Sequence, residues 1–161
     1  MELTRIAFGG GCHWCTEAVF QRLIGVEKVA QGWVSSTEKN TFSEAVVVYF
    51  DVEKINLKRL IEIHLNTHKS TSNHSMRDKY RSAVYYFSEH QKEESLLIIK
   101  ELQLNFNAEI ITQVLKFNDF KPSTVAFQNY YKKNPKKPFC EKYISPKLEL
   151  LSNQFSKNLR S

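Results

Sequence analysis

The stretch "IAFGGGCHWCTEAVF", from Ile6 to Phe20, joins an apolar run to a helical pattern through three consecutive glycines. The apolar run is typical of a β-strand that stops at the first glycine. Glycines permit positive φ angles and let other groups approach the backbone closely. Because the helical pattern begins at Cys12 and Gly25 marks its stop, we predict a strand–turn–helix unit with Cys12 at the helix N-terminus.

Segments further along the chain continue the alternation of strands and helices. Runs rich in β-branched and aromatic residues predict strands, and apolar residues at helical spacing predict helices. The predicted strands span residues 3–8, 26–34, 44–50, 80–87 and 109–117, and the later helices span 57–65 and 89–103. The first six elements read β-α-β-β-α-β, which predicts an α+β fold: a ferredoxin-like two-layer sandwich core with an added α/β unit. The proline-containing segment from Lys121 onward is predicted to be an irregular C-terminal tail.

The composition narrows the class of protein. Hydrophobic residues make up 42% and charged residues 25% of the chain, as in soluble globular proteins. No apolar run approaches the roughly 18 residues that a membrane span requires. No repeat or linker interrupts the chain, so we expect one domain over residues 1–161.

Charge and cysteine content bear on partners and compartment. The net charge of +6 gathers around residues 130–142, and no nucleic-acid motif accompanies it, so we expect a local basic patch and no nucleic-acid or membrane partner. Three cysteines are too few for a disulfide scaffold, and the N-terminus lacks the pattern of a signal peptide. We therefore predict a cytoplasmic protein whose cysteines carry chemistry.

The cysteines are the first candidates for a reactive site. A thiol at a helix N-terminus has a lowered pKa, so Cys12 is a candidate nucleophile. Cys15 completes a C-x-x-C motif, which has three interpretations: a dithiol–disulfide pair, half of a metal site, or one working cysteine beside a spare. Because no second ligand pair stands at zinc-binding spacing, we predict no metal site. Cys140 lies among lysines and prolines, where a mobile thiolate could resolve a sulfenic acid formed elsewhere.

Two further residues have side chains suited to acid or hydroxyl chemistry. Glu44 opens the strand 44–50 and becomes a candidate proton donor if its side chain lies under the start of the first helix. Tyr80 stands before the strand-forming run "RSAVYYF" and by itself is a core or rim aromatic residue.

Four segments together resemble the methionine sulfoxide reductase A family. The segment "AFGGGCHWCTEAVFQRLIGV" is similar to the family's Gly-Cys-Phe-Trp signature, and "SEAVVVYFD" to its Ala-Glu-x-Val strand. The segments "YRSAVYYFSEHQ" and "KKNPKKPFCEKYISPKL" continue the resemblance in the right order over most of the chain. The resemblance implies a thiol-dependent reductase of methionine S-sulfoxide, free or in proteins and peptides, that acts without a metal or an organic cofactor. We expect the protein to be a monomer.

The resemblance also implies roles for matching residues. Cys12 would attack the sulfoxide sulfur and become a sulfenic acid. Glu44 would protonate the sulfoxide oxygen, and Tyr80 would hydrogen-bond it. Trp14 would form a wall for the substrate methyl group. Cys140 would form a disulfide with Cys12, which thioredoxin or another dithiol would reduce.

Three residues differ from the family's pattern, and the resemblance assigns no role to Cys15. His13 replaces the phenylalanine after the nucleophile, Trp33 replaces a pocket tyrosine, and Ser75 replaces an aspartate. These changes predict a remodelled substrate pocket, so reduction of a different small sulfoxide is an alternative function. Cys15 is a candidate redox relay.

Two alternatives come from other classes of protein. A metal-binding or copper-chaperone-like module also suits a β-α-β-β-α-β body with C-x-x-C near the first helix. A protein-disulfide exchange factor would use Cys12 and Cys15 together.

Overall fold

The structure of the protein, a computed structural model, describes residues 2–72 and 79–160 and shows a mixed α/β fold, as predicted. Its strands are β1 (Thr4–Gly9), β2 (Val26–Ser36), β3 (Ser43–Phe50), β4 (Ala83–Tyr86) and β5 (Gln113–Pro122). Its α-helices are α1 (His13–Gln21), α2 (Leu57–Thr67), α3 (Glu89–Leu102), α4 (Tyr130–Lys133) and α5 (Ser145–Gln154). Among the described residues, no helix combines the length and apolarity needed to cross a membrane.

The strands pair in the order β4-β1-β3-β2-β5, and β5 returns to pair with β4, so the sheet closes on itself. All pairings are antiparallel except that of β4 with β5. A parallel pair requires a crossover connection, which α3 supplies between these two strands. The finer prediction of a two-layer ferredoxin-like sandwich stays a prediction.

Side chains alternate between the two faces of this sheet. Ala7, Ala45 and Tyr85 belong to a small buried cluster made only of strand residues, which the closed sheet turns inward. Their neighbours Phe8 and Val46 belong to the larger core, which also contains residues of α1, α2 and α5. The even-numbered residues of β1 and β3 therefore face the helices.

The predicted turn between β1 and α1 is confirmed. Gly10 has a φ of +153°, and a Cβ there would lie 2.5 Å from the His68 ring, so only glycine fits. Cys12 is the N-cap of α1, and its carbonyl oxygen accepts the N–H groups of Cys15 at 3.0 Å and Thr16 at 3.1 Å. The glycine turn thus places Cys12 where the helix begins.

The fifth strand lies further along the chain than its predicted bounds, residues 109–117. Ile111 leaves the sheet, because its N–H donates to the carbonyl of Ser70 at 2.7 Å. At the other end, polar residues continue the strand by pairing with β2 as far as Pro122 opposite Gly32. Pairing with a distant strand, and not local β propensity, sets these limits.

The predicted irregular tail from Lys121 onward is only partly correct. Residues 121 and 122 belong to β5, and the later part forms α4, a π-helical turn over Cys140–Ile144, and α5. Tyr130, Ile144 and Leu151 are buried in the larger core. Burial of these apolar side chains orders a segment whose prolines suggested irregular structure.

Candidate active site

The register of β2 and β3 places Glu44 beneath the start of α1. Glu44 is an even-numbered residue of β3, so its side chain faces the helices, as that of Val46 does. Trp33 of β2 is its direct partner across the strand pair and shares this face. The condition that made Glu44 a candidate acid is therefore met by the sheet register.

Glu44 contacts the first turn of α1 directly. The backbone N–H of His13 donates to Glu44 Oε1 at 3.2 Å, so the carboxyl group meets the positive end of the helix. Its other oxygen, Oε2, lies 3.6 Å from Nζ of Lys79, an exposed ammonium group. Only 6% of Glu44 is exposed, so this carboxyl group is largely shielded from water.

Cys12 is half-buried at the N-terminus of α1, and its pKa is lowered from the ordinary thiol value. The largest cause is the Cys15 thiol, which donates a hydrogen bond to Cys12, and the backbone N–H of Trp14 adds to it. Burial and the charge of Glu44 act in the opposite direction. The same hydrogen bond, together with burial, raises the pKa of Cys15, so Cys12 is the thiolate of the pair.

Glu44 lies close enough to Cys12 for its charge to raise the pKa of the thiol. Two negative charges repel each other strongly in a poorly hydrated site. A thiolate beside a carboxyl group that can carry a proton combines a nucleophile with a candidate proton donor.

A cavity of about 960 Å³ is lined in part by Cys12. Cys15, Tyr80 and Lys147 line it, together with Phe139, which precedes the π-helical turn, and Tyr143, which belongs to it. Burial lowers the pKa of the Lys147 ammonium group, while Cys15 and Cys12, when ionised, raise it. The cavity therefore brings an aromatic lining and two lysines, Lys69 and Lys147, to the two cysteines of the C-x-x-C motif.

Trp14 points into an aromatic cluster. Its ring stacks on Tyr130 at 4.0 Å between centroids and contacts Phe127 and Phe139 at 5.2 and 5.3 Å. Its indole N–H is buried and has no hydrogen-bond partner among the described residues. These contacts join α1 to the C-terminal segment, and the role of Trp14 as a wall of the substrate pocket stays a prediction.

His13 and Trp33 lie together on the Glu44 side of the helix start. The two rings meet edge to face at 5.0 Å, with Trp33 36% exposed and His13 only 5% exposed. The Nδ1 atom of His13 contacts the carbonyl oxygen of Gly32 at 2.7 Å, and its Nε2 atom lies 3.6 Å from Glu44 Oε1. Trp33 therefore shields a buried imidazole that contacts the candidate acid.

Cys140 is fully buried at the first position of the π-helical turn, and burial raises the pKa of its thiol. It lies close enough to Cys12 for their charges to interact. All three cysteines are present as free thiols. The resolving role of Cys140 and the relay role of Cys15 stay predictions.

Two residues near the site could not be identified from the sequence. Lys79 pairs with Glu44, and Lys147 lines the cavity, but each looked like one of many surface lysines. Ser75, predicted to contact substrate, lies outside the described residues. Within residues 2–72 and 79–160, no group of three His, Cys, Asp or Glu side chains is arranged to hold a metal ion.

A family model and the sequence of a known relative both match this chain and carry the same family description. The family model described as peptide methionine sulfoxide reductase matches residues 4–159. A relative from Trichodesmium erythraeum (strain IMS101), named peptide methionine sulfoxide reductase MsrA, is 35% identical over 170 residues, which cover 95% of this chain and 96% of the relative.

Solved structures share the fold at lower sequence identity. The reduced form of Mxr1 from Saccharomyces cerevisiae matches with a TM-score of 0.71 and 23% identity, covering 88% of this chain and 91% of that chain. The same protein in complex with Trx2 matches with a TM-score of 0.61 and 20% identity, covering 80% and 85% of the two chains.

Proposed function

The chain belongs to the peptide methionine sulfoxide reductase family, and on this premise we propose that it reduces methionine S-sulfoxide, free or in proteins and peptides, to methionine. The observation that carries the proposal is the contact of Glu44 with the first turn of α1, beside a Cys12 thiol of lowered pKa. Sulfoxide reduction needs these two groups together, because oxygen leaves sulfur poorly unless it is protonated.

The chemistry follows from those two groups. The Cys12 thiolate attacks the sulfoxide, Glu44 supplies a proton to the oxygen, and the oxygen passes from the substrate sulfur to the cysteine sulfur. The substrate sulfur gains two electrons and becomes a thioether, while Cys12 loses two and becomes a sulfenic acid. Tyr80 hydrogen-bonds the sulfoxide oxygen, and Trp14 packs against the methyl group of the substrate. Cys12, Glu44 and Tyr80 are the proposed catalytic residues of this step.

A second thiol then reacts with the Cys12 sulfenic acid, so that the Cys12 thiol can be regenerated. We assign this role to Cys140, whose attack on the sulfenic acid forms the Cys12–Cys140 disulfide and releases water. Phe139, next to Cys140, and Tyr143, in the same π-helical turn, line the cavity that Cys12 also lines, which supports this assignment. Cys15 already donates a hydrogen bond to Cys12 and is the competing partner.

The disulfide formed in one turnover distinguishes these two partners. After reaction with one equivalent of methionine S-sulfoxide and no reductant, peptide mapping by mass spectrometry should show a Cys12–Cys140 bond in the native protein. Cys140→Ser should turn over once and then stall with Cys12 as a sulfenic acid or bound to Cys15. Cys15→Ser serves as the matched control and should still form the Cys12–Cys140 bond. A Cys12–Cys15 bond in the native protein after this single turnover would contradict the assignment.

The remaining features of the proposal concern the whole protein. Thioredoxin or another dithiol reduces the disulfide, and no metal or organic cofactor takes part. We propose a cytoplasmic monomer with one domain over residues 1–161. We further propose that β1 to β4, α1 and α2 form a ferredoxin-like core to which α3 and β5 are added, because the order β4-β1-β3-β2 is what a β-α-β-β-α-β unit produces.

A second candidate substrate is a different small sulfoxide. The buried His13 ring and its Trp33 shield favour it, because they place a polar imidazole beside Glu44 where the family's pattern has phenylalanine. Ser75, the third changed position, belongs to the same proposal.

The test of the function is a reductase assay on defined sulfoxides. With dithiothreitol or thioredoxin as the reductant, we expect turnover of the S epimer of free and peptide-bound methionine sulfoxide, and far slower turnover of the R epimer. A higher kcat/KM for a small dialkyl sulfoxide would support the second candidate. Absence of turnover with every sulfoxide would contradict the proposed function.

A further inference from the structure

His13 is held by two groups whose hydrogen-bonding capacities are fixed. A backbone carbonyl oxygen can only accept a hydrogen bond, so the 2.7 Å contact between Nδ1 and the Gly32 oxygen requires the proton on Nδ1. Gly32 is itself tightly confined, because a Cβ there would lie 2.1 Å from the carbonyl oxygen of Lys121 on β5. The tautomer of His13 is therefore set by the paired strands β2 and β5.

The second ring nitrogen then faces the candidate acid. With the proton on Nδ1, a neutral His13 presents the lone pair of Nε2 to Glu44 Oε1 at 3.6 Å. An ionised carboxylate at this position would place two acceptors against each other in a site where both residues are at most 6% exposed. One proton between the two atoms removes this repulsion, whichever of the two carries it.

We propose that His13 and Glu44 hold one proton jointly, and that this is the proton that Glu44 delivers to the sulfoxide oxygen. His13 is thus a positioning residue that acts through Glu44. The inference rests on the proposed reductase function and adds a residue to it. It also gives a physical reason for a histidine where the family's pattern has phenylalanine.

The proposed step balances in atoms and charge. The sulfoxide, the Cys12 thiolate and the shared proton yield the thioether and the Cys12 sulfenic acid, so the proton ends on the transferred oxygen. The S–O bond of the substrate breaks, and the S–O bond of Cys12 forms. Solvent water returns a proton to the pair after the product leaves.

The charges around the pair act in opposite directions. Burial lowers the pKa of the His13 imidazole, while the Gly32 carbonyl and the Glu44 charge oppose this effect. Lys79 adds a positive charge that disfavours a second one on His13. Glu44, when ionised, raises the pKa of the Cys12 thiol. Tyr80, whose hydroxyl group interacts with Lys79, is a further titratable group beside the pair.

Two measurements test the proposal. Nitrogen-15 NMR of the reduced protein should show His13 protonated on Nδ1 at every pH at which the pair keeps its proton. The pH profile of kcat/KM for methionine S-sulfoxide should have an alkaline limb, where activity falls as the pair loses its proton. In His13→Phe this limb should move to lower pH by about one unit or more, because unperturbed imidazole and carboxyl groups differ by about 2 pKa units. His13→Gln should move the limb at least as far, because an amide cannot take up the proton.

The control is His90→Phe, which removes an exposed histidine paired with Glu94 on α3 and should leave the limb in place. Neutral His13 carrying its proton on Nε2, or an unmoved limb in both His13 variants, would overturn the proposal. Failure of the native protein to reduce any sulfoxide would instead overturn the proposed function, and a pH titration of the His13 Nε2 resonance in the same NMR experiment would still decide whether the pair takes up a proton.

Discussion

Replacement of Cys12 by serine is expected to lower kcat/KM for methionine S-sulfoxide by at least about 10⁴-fold, the size of effect seen when a covalent nucleophile is removed. A serine hydroxyl stays protonated at neutral pH, so neither the Cys15 thiol nor the N-terminus of α1 can make it a nucleophile. Its oxygen also cannot accept the sulfoxide oxygen as a cysteine sulfur does. The measurement is the initial rate with dithiothreitol as the reductant.

Folding and substrate binding provide the controls for Cys12→Ser. The substitution changes one atom at a half-buried position, so thermal unfolding should occur near the native midpoint. Quenching of tryptophan fluorescence by substrate should persist, because Trp14 and Trp33 are unchanged. A kcat/KM within tenfold of the native value would show that another group receives the oxygen.

Glu44→Gln is expected to lower kcat/KM by about 10²- to 10⁴-fold, the range that general acid catalysis contributes. Glutamine retains an oxygen that can accept the His13 N–H at the start of α1, so the helix contact is preserved. It has no proton to transfer at any pH. The loss should therefore be largest in kcat, and the alkaline limb of the pH profile should disappear.

The matched control for Glu44→Gln is Glu27→Gln, which removes the charge of an exposed carboxylate on β2 and should leave kcat/KM nearly unchanged. Removal of a negative charge beside Cys12 should also lower the pKa of that thiol further, because Glu44 acts to raise it. Iodoacetamide reactivity as a function of pH measures this change. Native activity in Glu44→Gln would contradict the assignment of the proton donor.

Local signals in the sequence were enough to predict the secondary-structure elements that carry Cys12 and Glu44. The glycine turn, the helix start at Cys12 and the strand that carries Glu44 all depend on residues adjacent in the chain. Strand bounds followed the same signals closely for β1 to β3. They were less accurate for β5, whose polar second half is a strand only because β2 pairs with it.

The contacts around the reactive centre could not be predicted in this way. The sequence showed only that His13 replaces the phenylalanine of the family's pattern. The structure shows its ring between the Gly32 carbonyl and Glu44. Lys79 and Lys147 gave no signal, because a lysine that approaches a thiol or a carboxylate has the same local sequence as one in water. The helical structure around Cys140 depends on the burial of apolar side chains in the core, which proline content did not reveal.

The sequence by itself determined that Cys12 begins a helix after a glycine turn, because turn geometry and helix initiation involve only neighbouring residues. Only the tertiary structure decided that Glu44 and Trp33 share the helix-facing side of the sheet, and that His13 joins them there. The physical reason is the two-residue period of a β-strand: a slip of one residue between β2 and β3 would turn these side chains to the opposite face. β2 and β3 are consecutive strands, but the face that they turn to the helices is set by their pairing with β1 and β5, which lie elsewhere in the chain.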